Sequence, residues 1–316
     1  MGEGRGEGAF QIFARTMKLS ELRALLTREG IQLTKSLGQN FLHDANQLRR
    51  IIEAARLTKQ DKVLEVGPGL GALTEYLLEA AGAVLAIEKD ARLAKVLLSR
   101  FDAEELDSLP CVDKDSTSGR PRLQLLCADA LQCLKRQPRD WSGWKLVANL
   151  PYSVASPILA ELACGARAPE KMVATLQLEV AKRLVAEPGN RDYGILTLLV
   201  QLDFAPHGWF KIPPGCFFPE PEVDSACVSL WRRPQPIIAE AQREVFKTIV
   251  KQAFSQRRKM MLKLLKEHWA QNALADAFKS AGLEPQVRAE QASLGQFVQL
   301  AQMLDGSALR KTNVQL

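Results

Sequence analysis

The stretch Val63-Leu64-Glu65-Val66-Gly67-Pro68-Gly69-Leu70-Gly71 decides the fold. Its first half is apolar and β-prone, which predicts a buried strand. The three glycines that follow permit backbone angles that a side chain forbids, and they let the backbone approach a ligand closely. Leucines at helical spacing then predict a helix, at Leu70, Leu73, Leu77 and Leu78. A strand, a tight glycine turn and a helix form the nucleotide site of doubly wound α/β folds, at the carboxyl ends of the strands.

The residues around this turn indicate a nucleotide-type cofactor without choosing which one. Gly67-x-Gly69-x-x-Ala72 fits the dinucleotide fingerprint, and Glu88 lies about 20 residues further on, where that motif has an acid. Glu88 closes a strand-like run at 83–87, and a carboxylate there can accept hydrogen bonds from both hydroxyls of a ribose. NAD and S-adenosylmethionine fit these motifs equally well. The alternative is a turn whose glycines only let a helix pack closely on a strand.

Two further segments carry polar side chains that suit a cofactor. The apolar run at 123–127 predicts a third strand, and Asp129 follows it. The Asp129 carboxylate could accept a hydrogen bond from the exocyclic amine of a cofactor adenine; the alternative is that it caps a helix. Gln39 and Asn40 stand side by side in a polar loop, and they could bind the carboxylate or the ribose of the cofactor.

The tetrapeptide Asn149-Leu150-Pro151-Tyr152 is the most informative in the chain, and it follows a fourth predicted strand at 145–148. The lone pair of an exocyclic base amine is delocalised into the ring. A site can favour its nucleophilic form by accepting hydrogen bonds from it, with an Asn oxygen and a main-chain carbonyl. Pro151 would hold the Leu150 carbonyl in place, and Tyr152 offers a face on which a flipped-out base can stack. The alternative is a simple turn.

Five motifs in order give a resemblance that no single one of them would carry. They are Leu37-Gly38-Gln39-Asn40-Phe41-Leu42, Glu65-Val66-Gly67-Pro68-Gly69-Leu70-Gly71, Asn149-Leu150-Pro151-Tyr152, Phe217-Phe218-Pro219-Glu220-Pro221-Glu222-Val223-Asp224-Ser225 and Phe254-Ser255-Gln256-Arg257-Arg258-Lys259. Over residues 34–298 the sequence resembles the ribosomal RNA adenine N6,N6-dimethyltransferase family of the small-subunit type. The resemblance implies an α/β fold, with a Rossmann-like class I methyltransferase domain built on a seven-stranded sheet and a small C-terminal all-α domain.

The resemblance also implies the activity and the site residues. The enzyme would use S-adenosylmethionine to dimethylate N6 of adjacent adenosines in small-subunit ribosomal RNA, as a step of ribosome biogenesis. Cofactor contacts would come from Gln39, Asn40, Leu42, Gly67, Gly69, Glu88, Asp129 and Asn149. Asn149 and the carbonyl of Leu150, held by Pro151, would receive the target amine. Tyr152 and Phe217 would sandwich the target adenine, since alignment to Pro219 favours Phe217 over Phe218. The encounter requires Asn149 to lie within about 10 Å of the glycine turn.

The composition is that of an ordinary globular enzyme. The chain has 316 residues, of which 47% are hydrophobic and 25% are charged, enough for one large domain or two smaller ones. No apolar run approaches the roughly 20 residues of a membrane span. None of the six cysteines forms a C-x-x-C pair and the three histidines are scattered, so we expect neither a metal site nor a disulfide framework. We expect a monomer in a reducing cytoplasm.

We divide the chain into an N-terminal extension and helix at 1–33, a methyltransferase domain at 34–233 and a C-terminal helical RNA-binding domain at 234–316. Residues 1–16 lack the apolar core of a secretory signal. We expect either a disordered lead or an upstream start codon, with Met17 as the working start. The polar segment at 102–122 is predicted to be a solvated insertion.

The net charge of +6 favours a polyanionic partner if the basic residues are clustered. They are clustered at 243–266 in the C-terminal domain, where Glu244 is the one acid among eight basic residues: Arg243, Lys247, Lys251, Arg257, Arg258, Lys259, Lys263 and Lys266. This face would contact the phosphates of structured ribosomal RNA in the small-subunit precursor. The motif Arg257-Arg258-Lys259 is the strongest candidate.

Three other functions fit parts of the sequence. A dimethyltransferase of large-subunit RNA, of the antibiotic-resistance type, shares the basic helical tail and the Phe-Pro loop. An RNA-binding assembly or transcription factor of the same fold is a second alternative, although the intact segment from Asn149 to Tyr152 argues against loss of chemistry. An NAD oxidoreductase is the third, and it lacks any evident proton-relay histidine near the strand ends.

Overall fold

A computed structural model describes residues 17–33, 38–110, 122–137, 139–163 and 167–306. Several predictions therefore lie outside the described residues. They concern the lead at 1–16, Leu37 at the start of the first motif, and the part of the 102–122 segment from 111 to 121.

The described residues contain ten strands and twelve α-helices. The strands are β1 (Phe41–Leu42), β2 (Lys62–Val66), β3 (Ala83–Glu88), β4 (Glu104–Leu106), β5 (Leu123–Cys127), β6 (Trp144–Asn149), β7 (Lys171–Gln177), β8 (Phe204–Ile212), β9 (Phe217–Phe218) and β10 (Ser225–Arg232). The helices are α1 (Leu19–Arg28), α2 (Ala45–Ala55), α3 (Ala72–Ala80), α4 (Ala91–Phe101), α5 (Ala130–Arg136), α6 (Ala155–Ala163), α7 (Leu178–Leu184), α8 (Ile195–Gln201), α9 (Arg243–Ala253), α10 (Met261–Leu265), α11 (Gln271–Ser280) and α12 (Leu294–Leu304).

The main sheet has the order β4-β5-β3-β2-β6-β7-β10-β8 in the described part of the chain. The first six strands are parallel, and β10 runs antiparallel to both β7 and β8. The predicted seven-stranded sheet therefore gains an eighth strand, β4, from the segment predicted to be a solvated insertion. Its sequence Glu104-Glu105-Leu106 has no β-prone pattern. This segment forms a strand through its pairing with β5, at the edge of the sheet.

Helices cover both faces of this sheet, as in a doubly wound fold. Alternate residues of β2 point to opposite sides: Val63 joins the core formed with α2, α3 and α4, whereas Leu64 joins the core formed with α5, α6 and α7. Asp44 caps α2 by accepting a hydrogen bond from the Gln47 amide at 2.9 Å, and Asp90 caps α4 by accepting one from the Arg92 amide at 3.0 Å.

A second core lies among the C-terminal helices, and it extends beyond the predicted domain limit at residue 233. Besides residues of α9 to α12, it contains Tyr193, Leu198 and Leu202, which precede that limit. The predicted basic face also loses a member, because Arg243 is buried and forms two hydrogen bonds of 2.6 and 2.7 Å with the Asp203 carboxylate. The domain limits themselves stay a prediction.

A two-stranded ribbon ties distant parts of the chain together beside the glycine turn. Strand β1 pairs antiparallel with β9, so that Phe41 faces Phe218 and Leu42 faces Phe217. The proline-rich motif at 217–225 thus begins with a strand. Its pairing fixes the polar loop that carries Gln39 and Asn40 next to the ends of the parallel strands.

The glycine turn can be tested by comparing two glycines with nearly the same backbone conformation. A methyl group at Gly71 (φ +84°) would overlap the Phe101 ring, whereas one at Gly189 (φ +85°) would meet nothing within 4 Å in the described structure. We expect Gly71→Ala to lower the free energy of unfolding by about 3 kcal/mol and Gly189→Ala by about 1 kcal/mol, because only the first adds overpacking to backbone strain. Urea unfolding measures both, and equal losses would contradict the packing role of Gly71.

Candidate active site

The glycine turn and the segment that begins at Asn149 lie side by side because β2 and β6 are parallel neighbours. Gly67 has φ +70°, and a methyl group there would lie 3.1 Å from the Pro151 ring and 3.8 Å from the Asn149 carbonyl oxygen. The two motifs are therefore in contact, well inside the distance that base methylation requires. A side chain at Gly67 would push them apart.

A cleft opens at this edge of the sheet, with an empty volume of about 850 Å³ that includes space open to solvent. Most of the residues predicted to bind cofactor or substrate line it: Gln39, Asn40, Gly67, Gly69, Glu88, Asp129, Asn149, Leu150, Pro151 and Tyr152. Leu42 and Phe217 do not.

Glu88 is the buried acid of the cleft. One of its carboxylate oxygens accepts a hydrogen bond from the Gly69 amide at 3.0 Å, and the other accepts from the Asp90 amide at 2.9 Å. Burial raises the pKa of Glu88, and these two amides oppose the rise. Each oxygen keeps a further lone pair, so the carboxylate can still accept hydrogen bonds from the two hydroxyls of a ribose.

Asp129 serves as the helix cap that was the alternative in the sequence. It accepts a hydrogen bond from the Gln132 amide at 3.0 Å at the start of α5. Its second oxygen lies 2.9 Å from the Lys89 ammonium, and this bond holds the pKa of Asp129 below its usual range. Since Asp129 also lines the cleft, the cap orients a carboxylate towards the place where a cofactor adenine would lie.

The polar loop is fastened by residues that the sequence did not single out. The Gln39 amide donates to Asp90 at 2.9 Å, and a hydrogen bond from Arg92 holds the pKa of Asp90 at about 2. The only signal in the sequence was the position of Asp90, two residues after Glu88. The Asp90 carboxylate thus remains charged and fixes the loop against the β3 end.

The two polar atoms of the Asn149 side chain have different hydrogen-bonding environments. Its Nδ2 donates to the Asn40 carbonyl oxygen at 2.9 Å, whereas its Oδ1 is buried and has no hydrogen-bond partner in the described part of the chain. A buried acceptor without a partner costs free energy, on the order of 1–3 kcal/mol. Asn149 lines the cleft, so a donor bound there would remove this cost.

The two residues around Pro151 are also fixed. The Leu150 amide donates to the Thr175 carbonyl at 3.0 Å, which sets the orientation of this peptide. The Tyr152 hydroxyl lies 2.5 Å from the Ser225 hydroxyl, and Ser225 is fully buried at the start of β10. Ser225 is the last residue of the proline-rich motif at 217–225, but no local pattern in the sequence predicts its contact with Tyr152.

Phe217 does not lie where the predicted base sandwich requires it. Its side chain is 1% exposed and packs in the core that includes Leu42 and Ile51. Phe218 points the other way, towards α1, where the Arg23 guanidinium lies 4.9 Å from its ring centre. The pairing of β9 with β1 sets these directions, because adjacent strand residues point to opposite sides. Neither Phe217 nor Phe218 lines the cleft. Leu42 is likewise a core residue below the loop.

Of the three basic residues predicted to bind RNA, Arg257 has internal partners. Its guanidinium donates to the Arg191 carbonyl at 2.5 Å and lies 3.9 Å from the Glu290 carboxylate. It therefore ties the segment after α9 to the loop before α8. Arg258 and Lys259 are exposed, and their contact with RNA stays a prediction.

The parallel strands bring three features to one cleft: a glycine turn, an acid suited to bind a ribose, and an Asn-Leu-Pro-Tyr segment. Together they define a Rossmann-like methyltransferase of the class I type. The particular family follows from comparison with known sequences. A model of the family described as ribosomal RNA adenine dimethylase matches residues 30–306, so the chain belongs to that family. The predicted fold class, enzyme class and S-adenosylmethionine cofactor are thereby confirmed, and the unpaired oxygen of Asn149 and the oriented carboxylates fit them.

Individual relatives agree with this assignment. The chain is 36% identical over 300 residues to the ribosomal RNA small subunit methyltransferase A of Streptococcus pneumoniae serotype 2, covering 93% of this chain and 100% of the relative. The 23S rRNA methyltransferase ErmE has a TM-score of 0.61 and 27% identity, covering 84% of this chain and 99% of ErmE. A dimethyladenosine transferase from Plasmodium falciparum shares the fold, with a TM-score of 0.68, 23% identity and coverage of 85% and 99%.

The buried carboxyl of Glu65, which lies just before the glycine turn, should make the free energy of unfolding depend on pH. It accepts a hydrogen bond from Thr74 at 2.7 Å, and burial raises its pKa from 4.5 to about 8. A carboxyl whose pKa is higher in the folded than in the unfolded state stabilises the fold at pH values below its unfolded-state pKa. This contribution to the free energy of unfolding is lost as the pH rises through the folded-state pKa. We expect wild type to lose stability relative to Glu65→Gln from pH 4.5 to about 8. Urea unfolding across this window checks it, with exposed Glu187→Gln as control, and parallel curves for wild type and Glu65→Gln would contradict it.

Proposed function

We propose that this protein transfers two methyl groups from S-adenosylmethionine to N6 of adjacent adenosines in small-subunit ribosomal RNA. The small-subunit substrate is supported by the relative from Streptococcus pneumoniae, whose name states it and whose similarity spans 93% of the chain. The observation that carries the proposal is the unpaired Oδ1 of Asn149, a residue that lines the cleft. It is an acceptor where the amine of a target base needs one.

The cleft residues can be assigned to the two ligands. Glu88 would hold the cofactor ribose and Asp129 its adenine amine, while Gln39 and Asn40 border its remaining part and Gly67 lets the backbone approach it. When bound, S-adenosylmethionine supplies the methyl group on a sulfonium. We propose a monomer as the working unit.

Asn149 would act on the adenosine amine directly. Its Oδ1 and the Leu150 carbonyl would each accept a hydrogen bond from the amine and so favour the form with a localised lone pair. The Asn40 carbonyl orients Asn149 for this, because it takes up the Nδ2 donor and leaves Oδ1 for the base. No strong general base is needed, since the amine becomes acidic only after it has been alkylated.

Tyr152 would provide the ring on which the extruded adenine stacks. Its hydroxyl is anchored by Ser225, so the ring is positioned before the base arrives. A sandwich completed by Phe217 would require that ring to leave its core packing. We therefore keep Tyr152 as the primary stacking residue and Phe217 as a secondary one.

Beyond the cleft, the basic residues Arg258 and Lys259 would contact RNA phosphates from the C-terminal helices. A cytoplasmic location is supported by Cys127, Cys133, Cys216 and Cys227, which are all free thiols and suit a reducing compartment. The structure has no helix, in the residues it describes, that is long and apolar enough to cross a membrane.

Purified protein, labelled cofactor and precursor subunits test the proposal. We expect dimethyladenosine in small-subunit RNA, detected by mass spectrometry of RNA digests. Methylation of large-subunit RNA instead would favour the second candidate, which the similarity to ErmE supports. Binding of precursor subunits without any methyl transfer would favour an assembly factor and overturn the proposal.

Replacing Asn149 tests its assigned role. We expect Asn149→Ala to lower kcat for methyl transfer by about 10²–10³-fold, the usual effect of losing one oriented polar contact to the reacting group. Cofactor affinity should remain mostly intact, because the variant keeps the turn and both carboxylates. Methyl incorporation and calorimetric cofactor titration measure the two effects. The control is Asn272→Ala, an exposed residue on α11, and normal turnover of Asn149→Ala would refute the role.

Replacing Tyr152 separates its ring from its hydroxyl. We expect Tyr152→Ala to weaken transfer to RNA by about tenfold or more, since stacking of one base on an aromatic ring contributes roughly 1–3 kcal/mol. Tyr152→Phe should keep most of the activity, because it loses only the bond to Ser225. Steady-state transfer and cofactor titration distinguish the outcomes, and an equal loss of RNA transfer and cofactor affinity would count against stacking.

A further inference from the structure

The polar loop at 38–40 touches the segment that begins at Asn149 at two points. The Asn40 carbonyl oxygen accepts the hydrogen bond from Asn149 Nδ2 at 2.9 Å, and a methyl group built on Gly38 would lie 3.7 Å from the Tyr152 amide nitrogen. Within the loop, Asn40 Nδ2 donates to the Gly38 carbonyl oxygen at 3.3 Å. A displacement of this loop would therefore reach the Asn149 side chain.

Asp90 holds the loop from its other side. One carboxylate oxygen of Asp90 accepts hydrogen bonds from Gln39 Nε2 at 2.9 Å and from the Arg92 guanidinium at 2.7 Å. The other oxygen accepts from the backbone amide and from Nε of Arg92, both at 3.0 Å. The Asp90 side chain is only 5% exposed, so this buried carboxylate joins the start of α4 to Gln39.

Arg92 fixes the carboxylate in turn. Its guanidinium also donates to the Gln32 carbonyl oxygen at 3.2 Å, in the segment that follows α1. The hydrogen bond from Arg92 holds the pKa of Asp90 at about 2, so near neutral pH the carboxylate is charged and can only accept hydrogen bonds. Asp90 is thus a fixed point to which the loop is attached.

The orientation of the Asn149 amide depends on this attachment. The oxygen and the nitrogen of an asparagine side chain have nearly the same shape, so a half turn of the amide exchanges an acceptor for a donor. The Asn40 carbonyl only accepts hydrogen bonds, and it therefore selects the orientation in which Nδ2 faces the loop. If the loop moved away, a turned Asn149 would present a donor to the base amine, which is itself a donor.

We propose that Asp90 is a positioning residue for methyl transfer, which acts on Asn149 through Gln39 and the Asn40 carbonyl. This rests on the proposed function, because it takes Asn149 to receive the base amine. Gln39, which was predicted to contact the cofactor, serves here as the tether between the loop and Asp90.

Replacing Asp90 by asparagine tests the tether, because asparagine caps a helix as well as aspartate does. Its amide nitrogen would face the donors of Gln39 and Arg92. We expect Asp90→Asn to lower kcat for methyl transfer about tenfold, as the loss of a hydrogen bond to a charged group would. The Kd of the cofactor should change much less, since both cleft carboxylates are kept. Asp44→Asn is the matched control, because Asp44 caps α2 through the Gln47 amide, and it should keep the wild-type kcat.

An exchange of the two tethered side chains should restore the contact. Gln39→Glu alone places a second carboxylate against Asp90 and should also lower kcat. In the double variant Gln39→Glu/Asp90→Asn, the new carboxylate would accept from the new amide, and the net charge is that of wild type. We expect kcat to return to within about threefold of wild type, because the two positions are coupled by direct contact. A double variant as slow as the slower single variant would overturn the proposal.

Combination with Asn149→Ala tests whether Asp90 acts through Asn149. Groups that act as a unit have non-additive effects, so Asp90→Asn should lower kcat little further in the Asn149→Ala background. An undiminished further loss there would overturn the proposal. So would a wild-type kcat of Asp90→Asn alone, or equal losses of kcat and cofactor affinity. Single-turnover transfer and calorimetric cofactor titration provide these values, and urea unfolding verifies that each variant is folded under the assay conditions.

The identity of the methylated RNA separates this proposal from the proposed function. If wild type methylates large-subunit RNA, the proposed substrate fails, and the loss of kcat in Asp90→Asn is measured on that RNA. If wild type methylates small-subunit RNA and Asp90→Asn keeps its kcat, the positioning role fails alone. Normal turnover of Asn149→Ala would remove both the role of Asn149 and its positioning by Asp90.

Discussion

The contact between the glycine turn and Pro151 is the constraint on which the site depends. Gly67 has no side chain, so the turn after β2 can pack against the Pro151 ring at the end of β6. This packing joins the end that would hold a cofactor to the end that would hold a base. A larger residue at Gly67 would separate the two ligands, and group transfer loses rate steeply when reacting atoms are displaced by even about 1 Å.

Orientation within the cleft comes from the polar loop before β1. The Asn40 carbonyl engages one half of the Asn149 amide and leaves the other half for a ligand, while Gln39 is held by Asp90. The loop is in turn fixed by the pairing of β1 with β9. The proline-rich segment thus supports the loop that orients Asn149, and this is a different role from the stacking surface expected at Phe217.

The features of the fold that depend on local sequence patterns could be predicted from the sequence. Strand β2, the helix α3 after the glycine turn and the position of Asn149 at a strand end all follow from periodicity and glycine spacing. The features that depend on pairing between distant segments could not be predicted. Strand β4 lacks a β-prone sequence and exists through its neighbour, and the direction of Phe217 is set by a register that no local pattern reveals. The acid deficit around Arg243 indicated a surface, but the partner Asp203 lies in another part of the chain.

The buried pair of Arg243 and Asp203 also explains how the helical part is joined to the sheet. Both side chains are less than 10% exposed, and removing one partner of such a pair costs about 3–5 kcal/mol. Around them, Tyr193, Leu198 and Leu202 from the sheet half complete the core of the C-terminal helices. A cut at residue 233 would expose this core and leave Asp203 as an unpaired buried charge. The basic residues after α9 are therefore held at a fixed position relative to the sheet, and RNA bound by them would approach the cleft in one defined orientation.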